Sequence, residues 1–223
     1  VGFNNENNVT KDAKVFGYRS SVIYIALSII FVILVVLSVT LSPPAEWYGK
    51  GGHLVSQYLY ISTLGDALLA APLVIVLFLS IYFLAPASKK YQCLLAVIFT
   101  SIFVVLVCAN YYVQLTAVRE NILSGDTSSV NMFIHQNTNS AMFAFDVLGY
   151  LFLGIASFLV APVFNSNKLE KWIKALFNLY GIISIIGVIG HIVENQLVIS
   201  FYGAVMSLIL FILGLLLCKF FKS

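Results

Sequence analysis

Six long apolar stretches, parted by short polar ones, leave this chain few ways to fold. They run from Val22 to Leu41, Tyr58 to Leu84, Tyr91 to Val118, Ala141 to Val163, Trp172 to Val193 and Leu197 to Cys218. About 20 apolar residues cross the hydrocarbon core of a bilayer as an α-helix. In hydrocarbon each backbone N–H and C=O must find its partner within the segment, which a helix provides and a lone strand does not. A large water-soluble core is excluded by composition. Hydrophobic residues make up 61% of the chain and charged ones 9%, against about 25% charged in soluble domains. The expectation is an all-α polytopic membrane bundle of six transmembrane helices over residues 21–223, preceded by a polar, Asn-rich cytoplasmic tail at 1–20. The first apolar run is too long for a signal-peptide core and lacks a clear cleavage site, so it reads as a retained span.

Breakers fall where the spans end. Pro43-Pro44 closes the first, and Gly49, Gly51 and Gly52 keep the next connection irregular; Pro86 closes the second and Pro162 the fourth. Pro72 lies inside the second span, where a membrane helix tolerates the lost backbone donor.

Basic residues set the expected orientation, because Lys and Arg are enriched in cytoplasmic loops. With the N-terminus inside, Lys11, Lys14, Arg19, Lys89, Lys90, Lys168, Lys171, Lys174, Lys219 and Lys222 share the inner side, and only Lys50 and Arg119 fall outside. Both termini are then cytoplasmic. The carboxylates run the other way: Glu46, Asp66, Glu120, Asp126, Asp146 and Glu194 all belong to the outer side or to outer halves of spans. Six acids against two bases make that side electronegative, which favours cations over anions.

Spans two and three share a layout with spans four and five. Asp66 and Asp146 stand near the outer ends of the descending helices, and Ala85-Pro86 and Ala161-Pro162 mark their inner ends. The returning helices start at Tyr91 and Trp172, with Asn110 and His191 nineteen positions on and Gln114 and Asn195 twenty-three positions on. A parallel repeat about an axis along the membrane normal would produce this arrangement.

Polar side chains inside a membrane are costly and are functional candidates by default. The candidate ligand-binding residues are Asp66, Asn110, Gln114, Arg119, Asp146, Tyr150, His191 and Glu194. Counting at 1.5 Å per residue from the inner ends of the spans places Asp66, Asn110 and His191 near the outer boundary, with Asp146 the deepest. Tyr58, Ser62 and Asp66 recur at helical spacing on one face, as do Asn110 and Gln114, and Asp146 and Tyr150. Gly181, Ser184, Gly187 and His191 form a narrow stripe that reads first as a packing seam, since small residues let membrane helices approach closely. Residues 119–139, with His135, Asn137 and Asn139, form the longest outer loop, placed to cap the mouth of the bundle. Arg119 is placed to pair with Asp146 or Glu120.

Several activities lack their residues. There is no P-loop, GxSxG or HExxH, no basic aromatic surface for nucleic acid, and no lysine in the middle of a span for a retinal Schiff base. Cys93, Cys108 and Cys218 show no CxxC spacing and read as apolar helix residues. His191-x-x-Glu194 is a weak metal motif, because catalytic zinc needs a third protein ligand, so no metal ligands are assigned and the cofactor is left open. The inner halves of the spans offer almost no polar side chains, from Leu73 to Leu79 in the second, for example. That predicts a pocket closed toward the cytoplasm and no cation or proton conduction.

The segment Asp146-Val147-Leu148-Gly149-Tyr150-Leu151, followed by Ala161-Pro162-Val163-Phe164 and the glycine-rich fifth span, resembles a group of uncharacterised bacterial six-span membrane proteins gathered as a domain of unknown function. The resemblance implies a bacterial inner-membrane setting and carries no activity. Three functions fit the residues. The first is a binding or transport-associated protein, with an outward-facing polar pocket for a small molecule, a cation or a lipid headgroup. The second is an intramembrane enzyme, hydrolase-like and metal-dependent or not, acting on lipid or peptide at the outer leaflet. The third is a structural subunit of a homo-oligomer or membrane complex. The lipid bilayer is the partner common to all three.

Overall fold

The computed structural model describes residues 2–41, 54–126 and 128–223. Glu46, Lys50, Pro43-Pro44 and the glycines at 49, 51 and 52 lie outside the described residues. Among the described residues seven α-helices carry the fold: α1 (Gly2–Leu41), α2 (Leu54–Leu84), α3 (Lys90–Val113), α4 (Arg119–Ser124), α5 (Ala141–Val160), α6 (Lys168–Ile192) and α7 (Gln196–Lys222). Among the described residues no strand occurs. Six helical segments among the described residues are long and apolar enough to cross a membrane. The protein is therefore a multi-pass membrane protein whose exposed apolar faces contact lipid.

The helix ends follow from local chemistry. Ser140, Asn167 and Asn195 cap α5, α6 and α7 by accepting hydrogen bonds from the N–H groups of Phe143, Glu170 and Val198, satisfying donors that a helix start leaves free. Glu170 closes a capping box, its carboxylate taking the N–H groups of Asn165 and Ser166 at 3.0 and 2.7 Å. Polar segment 2–20 is helical and continuous with the first span, because no proline interrupts it. Part of it also has a partner: Ala13, Gly17, Ser20 and Ser21 are buried, and a Cβ at Gly17 would lie 2.6 Å from the Phe221 ring.

Helix α3 does not stop at the membrane edge. It passes through one π-helical turn, Gln114–Val118, into α4, which ends at Gly125 in the left-handed conformation (φ 81°). Single π turns gather at functional positions, because the extra residue re-aims the side chains around it.

Each spanning helix packs on the next, and α7 packs back on α1, so α1, α2, α3–α4, α5, α6 and α7 close a six-membered ring in chain order. Both termini come to one face of the ring, with Lys89, Lys168 and Lys219; this is called the basic face below. The opposite face carries residues 114–140 and is called the loop face. Exposed aromatics mark the bilayer. Tyr91 (72% exposed) and Tyr112 (62%) lie near the two ends of α3. They are separated by roughly 32 Å of helix at 1.5 Å per residue, which matches a hydrocarbon core about 30 Å thick. Trp172 and Tyr58 are exposed at the corresponding levels of α6 and α2, as interfacial aromatics are.

The centre of the ring is filled in its basic half. Phe78 of α2 meets Phe177 of α6 edge-on at 5.8 Å, Phe177 stacks on Phe164 at 5.7 Å, and Phe164 meets Phe220 of α7 at 5.1 Å. These rings bridge opposite walls of that half. The small-residue stripe on α6 is a packing seam on both sides. A Cβ at Gly154 would collide with Ser184, one at Gly181 with Phe158, and one at Gly187 with Tyr202.

Candidate functional site

The polar residues of the loop half divide into two groups, one satisfied and one not. Gln114 stands at the first position of the π turn and is fully buried. Its side-chain oxygen accepts from the Tyr60 hydroxyl (3.2 Å) and from the backbone N–H of His135 (3.0 Å). Its amide nitrogen donates to the Phe133 carbonyl (2.7 Å) and to Asn110 Oδ1 (3.3 Å). An amide can make four hydrogen bonds, and Gln114 makes all four. Asn110, also fully buried, donates to Asp146 Oδ1 (3.3 Å) and to His135 Nδ1 (2.9 Å). Asn110, Gln114 and Asp146 thus come together, but as a clamp that holds the loop, with Tyr60 and His135 as members that helical spacing did not single out.

The loop is drawn down by that clamp. Val130 and Ile134 are buried against Val118, and His135 is sandwiched between Tyr111 and Phe143, with ring centroids 5.9 Å from each. At its outer edge Asp126 accepts from the Ser129 backbone and the Ser128 hydroxyl. Hydrogen bonds from Ser129 and then Ser128 hold its carboxyl below the usual carboxylate range. The loop caps the ring, as its length and position predicted.

Beneath the cap lies a cavity of about 330 Å³, within the range of small-molecule sites. It is lined by α1, α2, α3, α5 and α7. Six aromatic side chains surround it: Tyr24, Phe31, Phe103, Tyr111, Tyr150 and Phe211. Asp66 is its one charged residue among the described ones. Tyr60 sits level with Gln114 through their hydrogen bond, and Asp66 is six residues further along α2. That sets Asp66 about 9 Å below the clamp, deeper than counting back from Pro86 suggests. The count fails because α2 has 31 residues, roughly 46 Å of helix, and overruns the hydrocarbon core. Asp66 is 7% exposed, and its Oδ2 has no hydrogen-bond partner among the described residues. The hydroxyls of Tyr180 and Tyr202, buried beside Tyr150, are likewise unpartnered there.

The cavity reaches the lipid-facing surface between α1 and α7. Residues Ser200, Gly203, Ser207, Leu210, Gly214, Leu217 and Phe221 recur along α7 at alternating spacings of three and four, so they form one stripe. At the basic end this stripe is buried on α1: a Cβ at Gly214 would lie 3.2 Å from Tyr24. Toward the loop end the two helices part. Ser200, Gly203 and Ser207 are exposed, and a Cβ at Gly203 would meet nothing within 4 Å. Val32 and Leu208, both 58% exposed, belong to the cavity wall at this gap.

The other predicted residues lie elsewhere. Tyr150 lines the cavity one turn from Asp146. Tyr58 and Ser62 share the Asp66 stripe but are exposed on the outside of α2. Arg119 pairs with Glu120 at 3.2 Å and not with Asp146. His191 is half-buried against Phe143, centroids 5.3 Å apart. Glu194 is exposed in the α6–α7 turn at φ 54°, so His191 and Glu194 do not join Asp146. Among the described residues no three His, Cys, Asp or Glu side chains form a metal-holding group, and the three cysteines are free. Neither a protein-family model, nor a curated protein, nor a solved structure matches this chain.

Proposed function

We propose that this is a ligand-binding or transport-associated protein, whose cavity takes a small molecule or lipid headgroup drawn from the bilayer. One observation carries the reading: a ligand-sized cavity, with a buried carboxylate oxygen that has no partner among the described residues, opens sideways between α1 and α7. The clamped loop above it and the aromatic layer below it favour access from the membrane over access from water at either face. That layer also supports a protein that does not conduct ions. An enzymatic reading has less to stand on, because Asp146 is bound to Asn110 while His191 and Glu194 lie apart. The basic split favours both termini in the cytoplasm, with the loop face outside, and the resemblance of the fourth and fifth spans to bacterial six-span proteins favours an inner-membrane setting.

Ala71 lines the cavity and is 6% exposed, so Ala71→Trp fills it from inside. Wild-type protein extracted from its native membrane without detergent should carry a small molecule or lipid that mass spectrometry detects and that folded Ala71→Trp protein lacks. Identical extracts from the two proteins would contradict the proposal.

A further inference from the structure

The cavity's wall chemistry points to the class of ligand. A buried carboxylate with an unpartnered oxygen is costly in apolar surroundings unless a counter-charge meets it. Among the described residues no Lys, Arg or His lines the cavity, so none of the described cavity side chains supplies one. The remaining walls are aromatic on several sides: Tyr24 and Phe31 from α1, Phe103 and Tyr111 from α3, Tyr150 from α5 and Phe211 from α7. Aromatic faces attract organic cations, and cages of such rings recognise alkylated ammonium groups. A compact, strongly hydrated metal ion would need several oxygen ligands, and Asp66 is the only carboxylate among the described lining residues.

Shape adds a second requirement. From Phe103 to Tyr111 along α3, and from Asp66 to Val74 along α2, the cavity extends about 12 Å along the membrane normal. Its opening passes Val32, Ser207 and Leu208, at the level of the hydrocarbon. A ligand whose ammonium reaches Asp66 therefore leaves its apolar part in the cavity and through the α1–α7 gap.

Resting on the cavity reading above, we infer that the ligand is a cationic amphiphile: an alkylated ammonium held by Asp66 and the surrounding rings, carried on an apolar chain that enters between α1 and α7. Such a group is supplied by a free amphiphile or by a choline-type lipid headgroup, and the chemistry at Asp66 is the same for both.

The experiment uses the full chain in nanodiscs of an uncharged digalactosyl lipid, with empty nanodiscs subtracted. Radiolabelled decyltrimethylammonium is the probe. Its competitor is the uncharged isostere in which carbon replaces nitrogen. Wild-type protein should bind the probe saturably, the isostere should compete at least tenfold more weakly than unlabelled probe, and Asp66→Asn should weaken probe binding at least tenfold. The comparison of probe and isostere on wild-type protein needs no variant, so it stands if Asp66→Asn misfolds. Competition by added phosphatidylcholine supports the headgroup as source, and its failure with the probe still bound supports a free amphiphile. If the isostere competes as well as the ammonium and Ala71→Trp abolishes binding of both, the cation assignment is overturned and the cavity reading stands. If Ala71→Trp changes the binding of neither, both are overturned.

Discussion

At the scale of single residues, what separates a structural polar group from a functional one is whether its hydrogen bonds are made. Gln114 is buried and satisfied at all four positions; Asp66 is buried and, among the described residues, lacks a partner for Oδ2. Truncating the first removes the side-chain partner of the Phe133 carbonyl and the His135 N–H, at about 1–3 kcal/mol for a buried group left unpaired. Removing the second relieves a desolvated carboxylate. Gln114→Ala should therefore lower the midpoint of thermal unfolding in detergent and speed hydrogen exchange at 130–135, while Asp66→Leu should leave the midpoint of the ligand-free protein unchanged or raise it. Equal destabilisation by both would mean that Asp66 belongs to the fold's own framework. Composition and spacing marked both residues but not the difference between them, since that depends on Phe133, His135 and Tyr60, which come from distant segments. His135 itself was visible only as a loop residue, because nothing local to it signals a bond to Asn110.

At the scale of elements, the spans were legible because hydrophobic length is a local property. All six candidate spans appear as long helices, and the α6 stripe Gly181–Ser184–Gly187 packs as its small residues predicted. What was not legible is how helices continue or part. The π turn at Gln114–Val118 extends α3 into α4, and Gln114 at its start holds a loop from a distant part of the chain. The separation of α1 from α7 begins beyond Gly214, although Gly203 and Ser207 are as small as the residues that pack; sequence shows which faces can approach, and only the ring shows which do. Helix orientation still rests on the basic residues. In a chain freed of its native cysteines, Ser128→Cys should react with an impermeant thiol reagent added to intact cells, and Lys89→Cys and Lys168→Cys should not. Equal labelling of the three would overturn the N-in, C-in assignment.

At the scale of the whole molecule, a ring of six helices has to fill or use its centre. Here the basic half is filled by Phe78, Phe164, Phe177 and Phe220, the loop face is capped through Gln114 and His135, and the space between is left as a cavity with one side open to lipid. The arrangement gives the bilayer access to the middle of the ring. That access is tested most directly by photolabelling membranes that contain the protein with a small membrane-dissolved diazirine, then mapping the adducts by mass spectrometry. Bilayer access predicts adducts on buried cavity residues, Asp66, Ala71 and Tyr111, alongside those on lipid-facing residues such as Ile33 and Leu197, and loss of the cavity adducts alone in Ala71→Trp. Adducts confined to the lipid-facing residues would contradict it.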